Sequence, residues 1–501
     1  MPVLLGKTTF RNLEKDVLIE DEDRRRHFYV IGKTGMGKSV LLENMAIQDI
    51  LQGKGVGFVD PHGDTVEDIL DYIPKERIKD VFYFNPQDLD FPVGFNPMEK
   101  VSLEERHLVS SLLLGTFKKI WPDVWSARME YILANAILAL LEIPGSTILS
   151  IHRMLGDPYF RQKIIERLKD PVIKSFWQTE FARYTQAYEV EATAAIQNKI
   201  GQFISNPLIR NILGQTKSTF NLRKKMDEGK IVLVNLSKGK IGEENSKLLG
   251  SLFITQIYMA AMSRVDTPEE QRKDFFLYVD EFQNFATESF VNILSEARKY
   301  RLNLTLAHQY LSQLKEVSAM SSFDKIKDAI LGNVGTIVTF RVGPEDAAVL
   351  SKEFSPEVLP QDMINLPKHH VFVKMTQLGI PRRPFSAKTL PLPPKPSKSY
   401  KKEIIEHSRK QYSKLRMLVE KEITAQFENT KVYTPLRLYD AVCSLCGKKT
   451  KVPFLPDPEK LVYCDSCLKK IEKEKIGKVS LREILEKTVS FKKSKKHEKK
   501  D

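Results

Sequence analysis

The stretch GKTGMGKS at residues 32–39 limits the fold more than any other feature of this 501-residue chain. It fits G-x-x-x-x-G-K-[ST], follows the apolar run HFYVI and precedes the helical pattern SVLLENMAIQDIL. Gly32, Gly35 and Gly37, with Lys33, Thr34 and Met36 between them, let backbone N–H groups turn toward one point. The helix N-terminus behind them adds a dipole that favours anions. Such a turn holds phosphate. Its strand–loop–helix setting also demands a parallel βα unit.

The rest of the chain agrees. Residues 27–32, 56–60, 81–85, 231–236, 275–280, 302–307 and 336–341 are short, apolar runs rich in Val, Ile and Phe. Most are continuous rather than alternating, as in strands buried on both faces, and helical patterns separate several of them. The fold class is α/β: a RecA-like P-loop NTPase with a mostly parallel sheet. Between about 100 and 225 strand signals stop and helical ones take over, as in HLVSSLLLGTF behind a Ser102/Glu105 capping box. This predicts an ATPase domain in two parts, 1–100 and 226–387, split by an all-α insertion over 101–225. A Pro-rich basic linker over 388–400, a charged helix over 401–430, a zinc ribbon over 431–478 and a short helix with basic tail over 479–501 follow. Ser480 and Glu483 form a second capping box in that last piece.

Lys38 is placed to reach β- and γ-phosphates, and the Ser39 hydroxyl to ligate Mg²⁺. FFLYVDEFQNF ends a buried run on Asp280 and Glu281. Asp280 would support the metal, and Glu281 would polarise an attacking water. LNLTLAHQYLSQL ends on His308 and Gln309. The glutamine is a candidate γ-phosphate sensor and the histidine reads as structural. Arg341, closing TIVTFR, is either a stabiliser of transferred phosphoryl charge or a surface salt-bridging residue. Asp60, His62 and Asp64 in VDPHGD read first as hydrogen-bonded structure, with a metal site as the other reading. Lys33 reads first as solvated, with an approach to phosphate beside Lys38 as the other reading.

All four cysteines lie in one unit: Cys443-x2-Cys446, 17 residues, Cys464-x2-Cys467. Two such knuckles present four thiolates tetrahedrally, and Gly447 suits the first turn, so a closed structural Zn²⁺ site is expected. Around it lie Lys448, Lys449, Lys451, Lys469 and Lys470. From Lys395 onward there are 28 Lys and Arg against 15 Asp and Glu, a net of +13. Residues 1–394 carry 50 against 49. The basic end suits nucleic acid or another anionic surface. No run reaches ~18 apolar residues, and MPVLLGKTTFRNLEK lacks the apolar core of a secretory signal, so a soluble cytoplasmic protein is expected.

Together, GKTGMGKS, VDPHGD, GFNPM at 94–98, the helical insertion, YVDEFQNF and LAHQYLSQL resemble the HerA–FtsK superfamily of DNA-pumping ATPases. Within it the chain is most similar to the TraD/TraG-like coupling proteins of conjugation and type IV secretion, over roughly residues 20–385. The resemblance implies Walker A residues at Lys38 and Ser39, Walker B residues at Asp280 and Glu281, a third-motif glutamine at Gln309 and an arginine finger at Arg341. It further implies ATP and Mg²⁺ at the subunit interfaces of a hexamer, with DNA in a central channel, single-stranded in a conjugative setting. The all-α region would cap the channel mouth. Membrane-anchored members begin with transmembrane helices and this chain does not. The resemblance then implies either a separate membrane anchor protein that recruits the ring to the inner membrane or a ring that works free in the cytoplasm, with a relaxase as a further implied partner. DPHGD is shared with the HerA branch, so a translocase serving DNA ends or packaging beside a nuclease is the first alternative. A zinc-ribbon DNA-binding regulator with a vestigial ATPase is the second.

Overall fold

The computed structural model describes residues 1–9, 14–287, 290–317, 323–428, 439–452, 456, 461–464 and 466–467. The expected C-terminal helix with Ser480 and Glu483, the basic tail, Lys469 and Lys470 lie outside these residues. The chain forms two compact units, Met1–Thr430 and Lys431–Asp501.

The first unit is built on strands β1 (Val3–Thr8), β2 (Asp16–Ile19), β3 (Phe28–Ile31), β4 (Gly55–Asp60), β5 (Val81–Phe84), β6 (Ile231–Asn235), β7 (Phe275–Val279), β8 (Leu302–His308), β9 (Thr336–Thr339), β10 (His370–Gln377), β11 (Ile380–Pro381) and β12 (Phe385–Thr389). They form one sheet in the order β2-β1-β12-β10-β9-β3-β8-β7-β4-β6-β5, with β11 paired to β10. From β9 to β5 all neighbours are parallel. From β9 back to β2 all are antiparallel. The seven parallel strands are the seven apolar runs of the sequence, and every residue in them is buried.

Alternation along each strand divides the core in two. On β7, Phe275, Leu277 and Val279 face a cluster shared with the inserted helices and with Glu243–Met262. Phe276 and Tyr278 face the opposite cluster, shared with the helices Lys38–Leu51 and Asp64–Tyr72. Period-two side chains on a doubly covered sheet give this arrangement. Glu243–Met262, with the turn that continues it to Asp266, has the length and apolarity of a membrane span. Leu248, Leu249, Leu252, Phe253 and Ile257 on it are fully buried in the sheet-facing core, which accounts for its composition.

Between β5 and β6 the described residues are helical or irregular, without a strand. Three of the helices there start the same way: Asp157, Asp170 and Asn206 each cap a helix whose first residue is proline. The side chain accepts the orphan N–H groups while proline has none to lose. At Ser102 only half of the expected box forms: Glu105 accepts from Ser102 N–H at 3.2 Å, and the helix proper runs Arg106–Ile120. The Pro-rich segment after β12 lies along the first unit. Asn44 Nδ2 donates to Pro391 O, Tyr72 Oη to Pro393 O, and Lys395 pairs with Asp68 and Asp71. The charged helix that follows breaks into Lys401–Tyr412 and Arg416–Glu428, with Ser413 bridged to Val93 at the break.

The second unit contributes an antiparallel hairpin of β13 (Tyr439–Val442) and β14 (Lys449–Val452).

Candidate functional site

Parallel register assembles the site. Ile31 on β3 is level with His308 on β8 and Thr339 on β9, and Leu306 on β8 is level with Val279 on β7. The chain therefore leaves β3, β7, β8 and β9 at one edge of the sheet. Gly32, Asp280, Gln309 and Arg341 meet there from four distant parts of the sequence. In open α/β sheets this carboxyl edge is where ligands bind.

The loop after β3 turns at Gly35 (φ +77°) and Gly37 (φ +117°), and the helix Lys38–Leu51 begins directly behind it. Gly32 has a separate reason to lack a side chain: a Cβ there would lie 2.5 Å from Phe340 Cβ. Lys38 is buried, and its Nζ donates to Gly32 O at 2.7 Å. Burial lowers its pKa, while Glu281 and Asp280 act to raise it. Thr34, Gly35 and Lys33 are exposed, and Met36 is buried beneath the loop. Lys33 N–H donates to Arg341 O at 2.8 Å, which pins the loop to the end of β9.

Ser39 Oγ donates to Asp280 Oδ2 at 2.7 Å. Asp280 is fully buried, and desolvation pushes its carboxyl up to about 6 against the pull of the Ser39 hydrogen bond. Glu281 is buried too, in a left-handed conformation (φ +46°), with its N–H donating to Asp280 Oδ1 at 2.9 Å. A non-glycine residue held there stores strain of the kind found at active sites. Gln309 bridges loop and carboxylate: Thr34 Oγ1 donates to its Oε1, and its Nε2 donates to Glu281 Oε1, both at 2.9 Å. Gln283 Nε2 donates to the other oxygen, Glu281 Oε2, at 2.6 Å. Among the described residues the Arg341 guanidinium makes no ion pair or hydrogen bond, although its backbone lines the loop of its own chain.

Two neighbouring groups are structural. His308 is fully buried, hydrogen-bonded to Tyr29 Oη and packed on Phe282 at 5.0 Å, and burial drives its pKa down to about 3. Asp60 accepts from the N–H groups of His62, Thr65 and Val66, so it caps the helix Asp64–Tyr72. His62 and Asp64 point to solvent, and Asp60, His62 and Asp64 do not form a metal cluster.

Two contacts had no signal strong enough to be read from the sequence. Gln283 sits inside DEFQNF, and its place between two phenylalanines was the only hint. His369 also has φ > 0; its N–H donates to Met36 O, and its ring closes on Gly37.

In the second unit the Sγ atoms of Cys443, Cys446, Cys464 and Cys467 all lie within 4.8 Å of one another, with Cys446 and Cys464 3.7 Å apart. Tetrahedral zinc with bonds near 2.3 Å requires a sulfur–sulfur spacing of about 3.8 Å. Gly447 (φ +69°) turns the first knuckle, donating to Cys443 O at 2.9 Å. The donor set fits one closed, structural Zn²⁺.

A glycine-rich loop at the carboxyl edge of a parallel sheet, with an acidic pair on a neighbouring strand, defines a RecA-type P-loop NTPase. Residues 5–355 match the family described as Type IV secretory system Conjugative DNA transfer, and the chain belongs to that family. Residues 437–472, the unit expected as a zinc ribbon, match a family described as Probable treble clef zinc finger. Comparison with curated proteins gives no match. Among solved structures, the fold is shared with the plasmid coupling protein TrwB in complex with the ATP analogue ADPNP. That match has TM-score 0.54 at 17% identity and covers 77% of this chain and 90% of that one. A TrwB complex with ADP and Mg²⁺ gives TM-score 0.53 at 17% identity, covering 77% and 90%. VirB4 of Thermoanaerobacter pseudethanolicus gives TM-score 0.51 at 15% identity, covering 78% and 96%.

Proposed function

We propose that this chain is an ATP-driven DNA translocase, the coupling ATPase of a conjugative or type IV secretion system, working as a hexamer. The observation that carries the reading is the convergence of Lys38, Ser39, Asp280, Glu281 and Gln309 at one sheet edge. The backbone N–H groups of 32–37 and Lys38 would hold the ATP phosphates. Ser39 and Asp280 would hold Mg²⁺, which neutralises charge on the phosphates when bound. Glu281 takes the proton of the attacking water, and Gln309 ties its position to the loop through Thr34. Arg341 stabilises phosphoryl charge from beside the loop. DNA, a relaxase and a membrane anchor are the proposed partners. The TrwB complexes with ADPNP and with ADP and Mg²⁺ support the cofactor assignment by analogy.

The test is ATP hydrolysis by the full chain with and without single- and double-stranded DNA. Turnover should rise with DNA and disappear in Glu281→Gln, which still binds ATP. A rate indifferent to both forms of DNA rejects translocation. A wild-type chain with no turnover favours a zinc-finger regulator instead.

A further inference from the structure

We infer that Gln283 is a positioning residue for Glu281, through which the inserted helix Arg106–Ile120 governs the aim of the catalytic carboxylate. The inference rests on the ATPase reading above and adds to it a residue and a route.

Glu281 is held by two glutamine amides, one on each oxygen: Gln309 on Oε1 and Gln283 on Oε2. The two amides answer to different parts of the molecule. Gln309 is bonded to Thr34 in the phosphate loop. Gln283 lies in the single turn Phe282–Asn284, and its carbonyl oxygen accepts from Lys119 Nζ at 2.6 Å. Lys119 is in the last turn of Arg106–Ile120, the first long helix of the insertion.

Two phenylalanines anchor the chain on either side of Gln283. Phe282 is fixed between the rings of His308 and Phe290. Phe285 is fixed against Glu243–Met262: Ser251 Oγ donates to its carbonyl oxygen at 3.1 Å, and a Cβ on Gly250 would lie 2.3 Å from its ring. Gln283 projects between these anchors. Its Nε2 is engaged, whereas its Oε1 is buried with no hydrogen-bond partner among the described residues. Buried acceptors are rarely left unpaired, so this oxygen has room for a donor such as an ordered water.

A carboxylate gripped on both oxygens can receive a water proton only from the directions the two amides leave open. Gln283 therefore helps fix where the attacking water stands. A displacement of about 1 Å at such a point changes rates by roughly 100-fold. Movement of Arg106–Ile120 on meeting substrate would reach Glu281 through Lys119 and the Gln283 turn, a route separate from the Thr34–Gln309 contact to the phosphate loop.

The experiment measures kcat and KM for ATP, with thermal melting, on the full chain and on Gln283→Ala, Lys119→Met, Lys119→Arg and the double variant Gln283→Ala/Lys119→Met. The expected result for Gln283→Ala is a fall in kcat of roughly 10- to 100-fold with KM nearly unchanged, as for a group that acts on the chemical step. Lys119→Met should lower kcat about tenfold and Lys119→Arg should restore it, with the double variant no slower than Gln283→Ala. Multiplying losses in the double variant overturn the inference, because Lys119 would then act independently of Gln283. Loss of melting temperature or a raised KM with kcat intact overturns it as well. A wild-type chain that never turns over ATP rejects the proposed function and this inference together, whereas normal turnover with either of the preceding patterns rejects this inference alone.

Discussion

The Ser39 hydroxyl donates to Asp280 Oδ2 at 2.7 Å, joining residues 241 positions apart at the edge where β3 and β7 end. This contact sets two requirements against each other. In the proposed role Asp280 must be ionised to help hold Mg²⁺, yet it is fully buried, and burial pushes it up to about 6. A carboxylate whose folded pKa lies above its unfolded one destabilises the fold once pH rises past the unfolded value. That cost is at most about 3 kcal/mol near neutrality. Asp280→Asn keeps an acceptor for Ser39 and removes the charge. Metal-free Asp280→Asn should melt at a higher temperature than wild type at pH 7.5 and close to it at pH 4. Its Mg²⁺-dependent ATP turnover should fall by about 100-fold or more. Calorimetry at the two pH values and a phosphate-release assay check both halves.

Two glycines of the same loop should respond differently to alanine. At Gly35 the backbone is left-handed but a Cβ would meet nothing within 4 Å, so the cost is conformational and on the order of 1 kcal/mol. At Gly32 the Cβ would sit 2.5 Å from Phe340 Cβ, and neither strand end can retreat without breaking the Phe340 N–H to Ile31 O bond at 2.8 Å. Gly32→Ala should therefore lower stability more than Gly35→Ala, by roughly 1–3 kcal/mol further. Urea unfolding of the two variants decides it, and equal losses would refute the steric account.

How much of this was legible follows from which interactions are local. The seven parallel strands announce themselves because both faces are buried, leaving unbroken apolar runs such as FFLYV. The antiparallel extension does not. β10 alternates in burial, and β1 mixes buried with half-buried and exposed positions, meeting its partner β12 through pairings such as Gly6 with Thr389. Lys38, Ser39, Asp280, Glu281 and Gln309 stand at strand ends and could be named. That Gln309 touches both Thr34 and Glu281 depends on register between β3, β8 and β7, which the sequence does not display. Gln283 was hidden for the same reason, since its partner Lys119 belongs to another layer.

His308 should make the protein sensitive to acid. Burial holds it neutral, with a folded pKa of about 3 against an ordinary value of 6.5. A base depressed in this way contributes stability that is full above pH 6.5 and is lost progressively as pH falls toward 3. The total is on the order of 5 kcal/mol. Denaturant midpoints measured from pH 7 to pH 4 should fall steeply for wild type. They should fall less for His308→Gln, which is already destabilised at pH 7 by disturbed packing against Tyr29 and Phe282. Parallel pH slopes for the two proteins would assign the acid sensitivity elsewhere.

The four-cysteine unit should bind one zinc per chain and unfold without it. With Sγ atoms within 4.8 Å and no disulfide, removal of metal leaves four unbonded thiols and, among the described residues, mainly the β13–β14 pairing to hold the hairpin. Small structural zinc sites draw their folding energy from the metal. Metal analysis of Cys443→Ser should show the zinc lost. Because Met1–Thr430 is a compact unit of its own, its main melting transition should stay in place. A shift of that transition would show that the zinc unit stabilises the ATPase part.

The last prediction concerns the opposite edge of the sheet. Arg24 and Asp49 are both buried and form a bidentate pair at 2.8 and 2.7 Å, and Tyr278 Oη donates to Asp49 Oδ2 at 2.5 Å. Arg24 also stacks over Phe276, 3.9 Å from the ring centre. Asp49 is in the helix that begins at the phosphate loop, and Tyr278 is two residues before Asp280. The network thus ties the two halves of the nucleotide site together from behind. Removing Asp49, which also pairs with Lys54 at 3.2 Å, leaves the buried Arg24 with only the longer ion pair to Asp21 at 3.6 Å, so Asp49→Ala should cost about 3 kcal/mol. Replacing both, as Arg24→Met with Asp49→Leu, removes the stranded charge and should recover much of that loss, since apolar groups of similar volume can substitute for a buried pair. If the double variant is as unstable as the sum of the two single ones, the pair is not what holds this edge. If stability returns but KM for ATP rises, the pair serves the site by fixing the helix Lys38–Leu51 against β7, and the polar bonds are needed for alignment more than for folding.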